Sequence, residues 1–208
     1  MKKRIASLVI GILLLGTMVC QSGMRFGGKG EAAAENISAA SVKTVSAGDM
    51  EMDYIVFGSG EKPFVILPGL SVHSVMGSAE AIEAAYKDFS EEYTVYVFDR
   101  AKNIQEGYTV RDMAVDTAAA MKLLNIEDAD IFGASQGGMI GLYIAIDHPE
   151  LVHKMILGST LAKSNDTFNH VVDEWIQLAE ERKEVGLLES FADNVYSQAT
   201  LDAYRETL

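Results

Sequence analysis

"DADIFGASQGGMIGLYIAI", residues 128–146, sets one serine, Ser135, among Gly133, Gly137 and Gly138 and between two apolar runs. An ordinary loop has no need of glycines on both sides of a serine. A sharp turn that forces its central residue into an unfavourable backbone conformation does need them. "ADIFGAS" has the β-branched and aromatic content of a buried strand, and "GMIGLYIAI" reads as a buried helix. Ser135 therefore stands where a strand passes directly into a helix.

The flanking sequence alternates in the same way. "MDYIVFG" and "KPFVILPG" predict two strands, and "SAEAIEAAYKDFSEEY" a helix with Ile82, Ala85, Tyr86 and Phe89 on one face. "TVYVFD" is the next strand. "TVRDMAVDTAAAMKLLNI" is the next helix, with Val110, Met113, Ala114, Ala118, Met121 and Leu124 as its apolar stripe and Thr109 with Asp112 as its cap. "HKMILGST" adds a strand beyond the serine. Strands apolar throughout and separated by helices predict an α/β fold, a mostly parallel sheet covered on both faces. From Thr167 onward the sequence is wholly helical in pattern.

The N-terminal part is of a different character. "MKKR" followed by the uncharged "IASLVIGILLLGTMV" has the layout of an export signal, and the run is short for a membrane span, which needs about 20 apolar residues. Three outcomes fit: cleavage near "AAAEN", with small residues at Ala32 and Ala34; lipidation of Cys20; or an uncleaved anchor. With Cys20 in this leader, the body has no cysteine and must be held by its core. Residues 21–48 are rich in Gly, Ala and Ser and read as a flexible linker, although "SVKTVSA" within them has the makings of a short strand. The division expected is a leader at 1–20, the linker at 21–48, a core at 49–164 and a helical lid or cap segment at 165–208. Up to Ala47 the net charge is +4, and beyond it −17. So acidic a body argues against nucleic acid and against anionic lipid, leaving membrane contact to the N-terminal segment. The sequence contains no phosphate-binding loop, no dinucleotide fingerprint and no paired-cysteine zinc spacing, so no cofactor and no metal is expected. It does not indicate an oligomeric state.

Gly-x-Ser-x-Gly at a strand-to-helix junction is a nucleophile elbow. With it, residues 50 to about 165 resemble the α/β-hydrolase superfamily. "GASQGG" is similar to that family's elbow, "FVILPGLS" to the strand and loop that supply its oxyanion hole, and "YVFDR" to the end of its next strand, where Ala101–Gly107 depart from the family's Asp-x-Arg-Gly-x-Gly. The helical stretch occupies the place of the family's lid. The resemblance implies that Ser135 attacks a substrate carbonyl carbon. It also implies that the backbone N–H groups of Leu70 and Gln136 hold the oxyanion, with Gly133 and Gly137 as the elbow glycines.

A serine hydroxyl needs an imidazole to take its proton and a carboxylate to orient that imidazole. The family order is Ser, then Asp or Glu, then His. His148 and His153 flank "PELV" and read as surface residues, His170 as a solvated one, and His73 as a possible substrate contact near the oxyanion loop. Asp166 sits in a less usual place for the acid. The triad is thus incomplete within 208 residues, and the apolar strand "HKMILGST" is left at the sheet edge. The sequence therefore predicts roughly 60 to 80 further residues carrying the acid and the histidine. The function expected is a serine hydrolase cleaving an ester, thioester or amide of a small acyl substrate. The alternatives are a non-catalytic ligand binder on the same fold and an acyltransferase with the same nucleophile. Trp175, Ile176, Leu187, Leu188 and Phe191 suit either an acyl group or ordinary packing.

Overall fold

The computed structural model describes residues 39–71 and 73–204. Six strands form one sheet: β1 (Ser41–Ala47), β2 (Met50–Phe57), β3 (Lys62–Leu67), β4 (Tyr93–Ala101), β5 (Ala129–Ala134) and β6 (Val152–Gly158). Their spatial order is β1-β2-β4-β3-β5-β6. From β4 to β6 every pair is parallel, whereas β1 and β2 add antiparallel strands on the β4 side. The antiparallel side follows from the connections. Two residues join β1 to β2, and four join β2 to β3, too few for the crossover that a parallel pair requires.

β1 corrects one boundary. Ser41–Ala47 pairs along its whole length with Met50–Val56, so the flexible linker expected at 21–48 cannot extend through this segment. Cys20, Ala32, Ala34 and the expected leader lie outside the described residues. Among the described residues no helix is long and apolar enough to cross a membrane.

The helices packed on the sheet are α1 (Ala79–Tyr86), α2 (Val110–Leu123) and α3 (Gln136–Asp147). α1 is shorter than the sequence pattern suggests, because the chain tightens into a 3₁₀ turn at Lys87–Phe89. α2 starts with the expected capping box, in which the Thr109 hydroxyl accepts from the Asp112 N–H and the Asp112 carboxylate accepts from the Thr109 N–H.

The strand period of two divides the core. Val65, Leu67, Phe98 and Ile131 face one layer with Ala114, Ala118 and Met121 of α2 and Ile140 and Ile144 of α3. Phe64, Ile66, Val97 and Phe132 face the other with Ile82 and Tyr86 of α1. Each large apolar side chain buried in this way contributes about 1.5–3 kcal/mol, and the central strands β3 and β5 carry such residues on both faces. α3 departs from the expectation of a wholly buried helix. Gly137, Gly138, Ile140, Gly141 and Ile144 are buried, but Tyr143 and Ile146 are exposed, because the 3.6-residue period turns them away from the sheet.

Residues 162–204 form a separate helical unit of α4 (Asp166–Glu180), α5 (Glu184–Val195) and α6 (Gln198–Tyr204). Asn165 caps α4 by accepting from the Phe168 N–H. Within this unit Trp175 packs on Phe191, with ring centroids 5.2 Å apart, and its indole N–H donates to the Ser190 hydroxyl. Ile176 and Leu188 are exposed.

Candidate active site

β3 and β5 lie side by side and parallel, with Leu67 in register with Gly133. Their carboxyl ends therefore deliver two loops to one place, Pro68–Ser71 and the turn at Ser135. The carboxyl end of a parallel sheet is where such folds bind ligands.

Ser135 has φ 50° and ψ −119°. That backbone region is costly for a residue with a side chain, by about 1–3 kcal/mol, and the surroundings hold it there. The Ser135 N–H donates to the Gly158 carbonyl at the end of β6. Its carbonyl accepts from the Thr160 hydroxyl at 2.6 Å and from the N–H groups of Gly138 and Met139. The glycines are required by close approach. A Cβ on Gly137 would lie 1.9 Å from the Leu67 carbonyl oxygen, and one on Gly133 would lie 2.6 Å from the Gly138 Cα. Helix α3 starts directly on the end of β3, which leaves no room for a side chain.

Ser135 occupies the position before the first turn of α3, yet its hydroxyl makes no capping bond. Among the described residues it makes no hydrogen bond, and it stands at the amino end of a helix, where unpaired N–H groups and the helix dipole favour developing negative charge. Gly69 lies against it; a Cβ there would come within 3.3 Å of the Ser135 Cβ and 3.9 Å of its Oγ. Leu70, the next residue, is largely exposed. Among the described residues no group takes up the backbone N–H of Leu70 or of Gln136. A cleft of about 30 Å³ opens here, lined by Gly69, Leu70, Ser71, Asp99, Arg100 and Gln136. A larger surface cavity of about 360 Å³, around Tyr108, Asp112 and Asp116, includes neither the turn nor the loop. Two of its carboxylates are already engaged, by Thr109 and by the Tyr108 hydroxyl.

One residue given no role from sequence joins the two loops. The Arg100 guanidinium donates to the Gln136 Oε1 through Nε at 3.1 Å and Nη2 at 3.0 Å. Nη2 also reaches the carbonyls of Pro68 at 2.7 Å and Gly69 at 3.4 Å. Burial pushes the Arg100 pKa below its ordinary value, against the opposing pull of Asp99. The signal was present in "YVFDR", but nothing local in the sequence indicates what Arg100 touches.

Among the described residues no histidine is hydrogen-bonded to Ser135. His153 sits at the start of β6 and pairs with Asp128, just before β5. Ser135 is at the opposite end of these strands, roughly 20 Å away at about 3.3 Å per strand residue. His148 lies beside Lys122 and Glu150. Both are the surface residues expected. His73 is exposed, and its carbonyl accepts from the Ser71 hydroxyl. His170 and Asp166 are exposed on α4. Among the described residues no three metal-ligating side chains gather at one point.

The chain is 27% identical over 125 residues to 3-oxoadipate enol-lactonase 2 of Acinetobacter baylyi, covering 58% of this chain and 45% of that protein. It is 32% identical over 120 residues to the uncharacterized hydrolase YraK of Bacillus subtilis, covering 54% and 42%. The chain thus spans less than half the length of these relatives. Among solved structures, MGS-M2, an alpha/beta hydrolase enzyme from a Medee basin deep-sea metagenome library, superposes with a TM-score of 0.69 at 20% identity, covering 79% of this chain and 61% of that one. The family model for the alpha/beta hydrolase fold matches residues 62–187, from the first residue of β3 into α5 and across both loops of the site. That match covers more than half of the chain, on a mostly parallel sheet of this order: the chain belongs to the alpha/beta hydrolase fold family.

Proposed function

We propose that the protein is a serine hydrolase that cleaves a carboxylic ester, or a related thioester or amide, through an acyl-enzyme on Ser135. One observation carries the reading: Ser135 is held at φ 50° with its hydroxyl free of any capping bond. A binding protein gains nothing from a strained serine, whereas a nucleophile gains exposure and a positive helix end.

In this reading the Ser135 Oγ forms a bond to the substrate's carbonyl carbon and passes its proton to a general base. The carbonyl π electrons move to oxygen, and the N–H groups of Leu70 and Gln136 hold the charge. When the tetrahedral species collapses, the alcohol, thiol or amine departs with the proton returned by the base. Water repeats the sequence on the acyl group and regenerates the hydroxyl. The donors are backbone groups, so the exposed Leu70 side chain is free to face solvent or substrate. The enol-lactonase resemblance is in keeping with a cyclic or linear ester as substrate.

A specific observation keeps a second reading in view: no described histidine is hydrogen-bonded to Ser135. A ligand binder on the same fold would need none. A fluorophosphonate probe separates the two on the full-length protein. Labelling at Ser135 that is lost in Ser135→Ala supports the hydrolase, and no labelling of the wild type overturns it. Acyl transfer would show itself as ester formation when an added alcohol competes with water. We further propose export through the basic and apolar N-terminal segment, tested by intact mass in the native host. An unmodified N-terminus recovered from the cytosol would overturn that proposal.

A further inference from the structure

We propose that Arg100 is the positioning residue of the oxyanion hole, aligning both backbone donors through one guanidinium; the inference rests on the serine-hydrolase reading of Ser135. The two donors come from segments far apart in sequence, the loop after β3 and the first turn of α3. Arg100, at the end of β4, bonds to both. Its contact with Gln136 places two N–H groups of a rigid planar fork on one amide oxygen, an arrangement that fixes direction as well as distance. Its contacts with Pro68 and Gly69 act on the other donor through the peptide unit itself. The Gly69 carbonyl and the Leu70 N–H belong to the same planar trans peptide and point in opposite directions. Drawing the carbonyl toward Arg100 therefore turns the Leu70 N–H away from Arg100.

Arg100 is itself held in place. Its backbone N–H donates to the Asp99 Oδ1 at 2.8 Å, and the other oxygen of Asp99 accepts from the Ser74 hydroxyl. The guanidinium's charge also polarises the peptide it holds, and little water screens it there. A lysine could not do the same. Its ammonium is a compact point charge on a flexible stem, without the fork that meets a side-chain amide and two carbonyls together.

The test uses the full-length protein with Arg100→Gln, Arg100→Lys, Gln136→Met and Gln136→Glu, followed by ester turnover, affinity for a boronic acid analogue of the tetrahedral species, and hydrogen–deuterium exchange of residues 69–71. Arg100→Gln is expected to lower kcat about tenfold to hundredfold, below the effect of deleting an oxyanion donor outright, while KM stays within about threefold. Boronate affinity should fall in parallel, and the amides of residues 69–71 should exchange faster. Arg100→Lys should recover only part of kcat. Gln136→Glu, which keeps an acceptor for the fork, should retain more kcat and more boronate affinity than Gln136→Met, which has none. If Arg100→Gln does not fold, Gln136→Met still reads the α3 half of the clamp. An unchanged kcat, or a fall in kcat without loss of boronate affinity, overturns the proposal. If the wild type resists fluorophosphonate, the hydrolase reading fails; exchange at 69–71 then decides the clamp alone, and unchanged exchange in Arg100→Gln overturns it.

Discussion

β5 and β6 are neighbours in register, with Ile131 beside Met155, Phe132 beside Ile156 and Gly133 beside Leu157. They are written in the same apolar alphabet, "ADIFGA" and "HKMILG", yet they have different fates. Ile131 and Phe132 are 1% and 0% exposed, whereas Ile156 and Leu157 are 48% and 42% exposed. What separates them is place. β5 has a strand on each side and helices over both faces, whereas β6 ends the sheet among the described residues. An apolar run states that a strand belongs in a sheet without stating how much of that sheet surrounds it. Ser135 is set at the end of the strand that has a neighbour on each side.

The hardest blow to this contrast is Gly137→Val. Its Cβ would meet the Leu67 carbonyl, which is backbone and cannot swing aside, so the cost should exceed about 4–5 kcal/mol, the range of exceptional single substitutions. Circular dichroism should then show no folded protein near room temperature. Ser135→Ala strikes the same turn chemically. Turnover of a p-nitrophenyl ester by the full-length protein should fall by at least about a thousandfold while the thermal midpoint moves little. Equal loss of stability in both variants would break the elbow reading.

The strand comparison itself is sharpened by matched deletions. Ile131→Ala should cost about 2–5 kcal/mol in urea unfolding, and Ile156→Ala less than about 1. Similar values for the two would mean that Ile156 is covered in solution. The smallest effect is the most diagnostic of strain. Ser135→Gly should raise stability by about 1 kcal/mol, because glycine accepts φ 50° without penalty. A loss would mean that the serine side chain, and not the turn, is what the fold uses.

The elbow was legible because its physics is local: glycines at fixed offsets from Ser135 on a strand-to-helix junction. The helix cap at Thr109 and Asp112 was legible for the same reason. Leu70 and Gln136 could be named from the loop and turn that carry them, but not aimed, since their directions depend on Arg100, which lies 36 positions from Gln136 and 32 from Pro68. β1 was half-legible. "SVKTVSA" has strand content, but its pairing to β2 depends on a two-residue turn within a stretch otherwise composed like a tether. The exposure of Tyr143 and Ile146 was missed because α3 is apolar all round, so its pattern hides which side meets the sheet.

The contacts that hold Ser135 have a bearing on when its turn takes shape. Its N–H is held from the end of β6, its carbonyl by Thr160, 25 residues on, and its helix by the fit of Gly137 against Leu67, 70 residues back. Contacts so distant along the chain close late in folding. If Ser135 is the nucleophile proposed above, a nascent or loosened chain carries only an ordinary serine hydroxyl, and its reactivity toward esters arises when the central sheet assembles. Pulse labelling of Ser135 during refolding would then act as a clock for that assembly, rising in step with the last long-range strand pairing and not with helix formation.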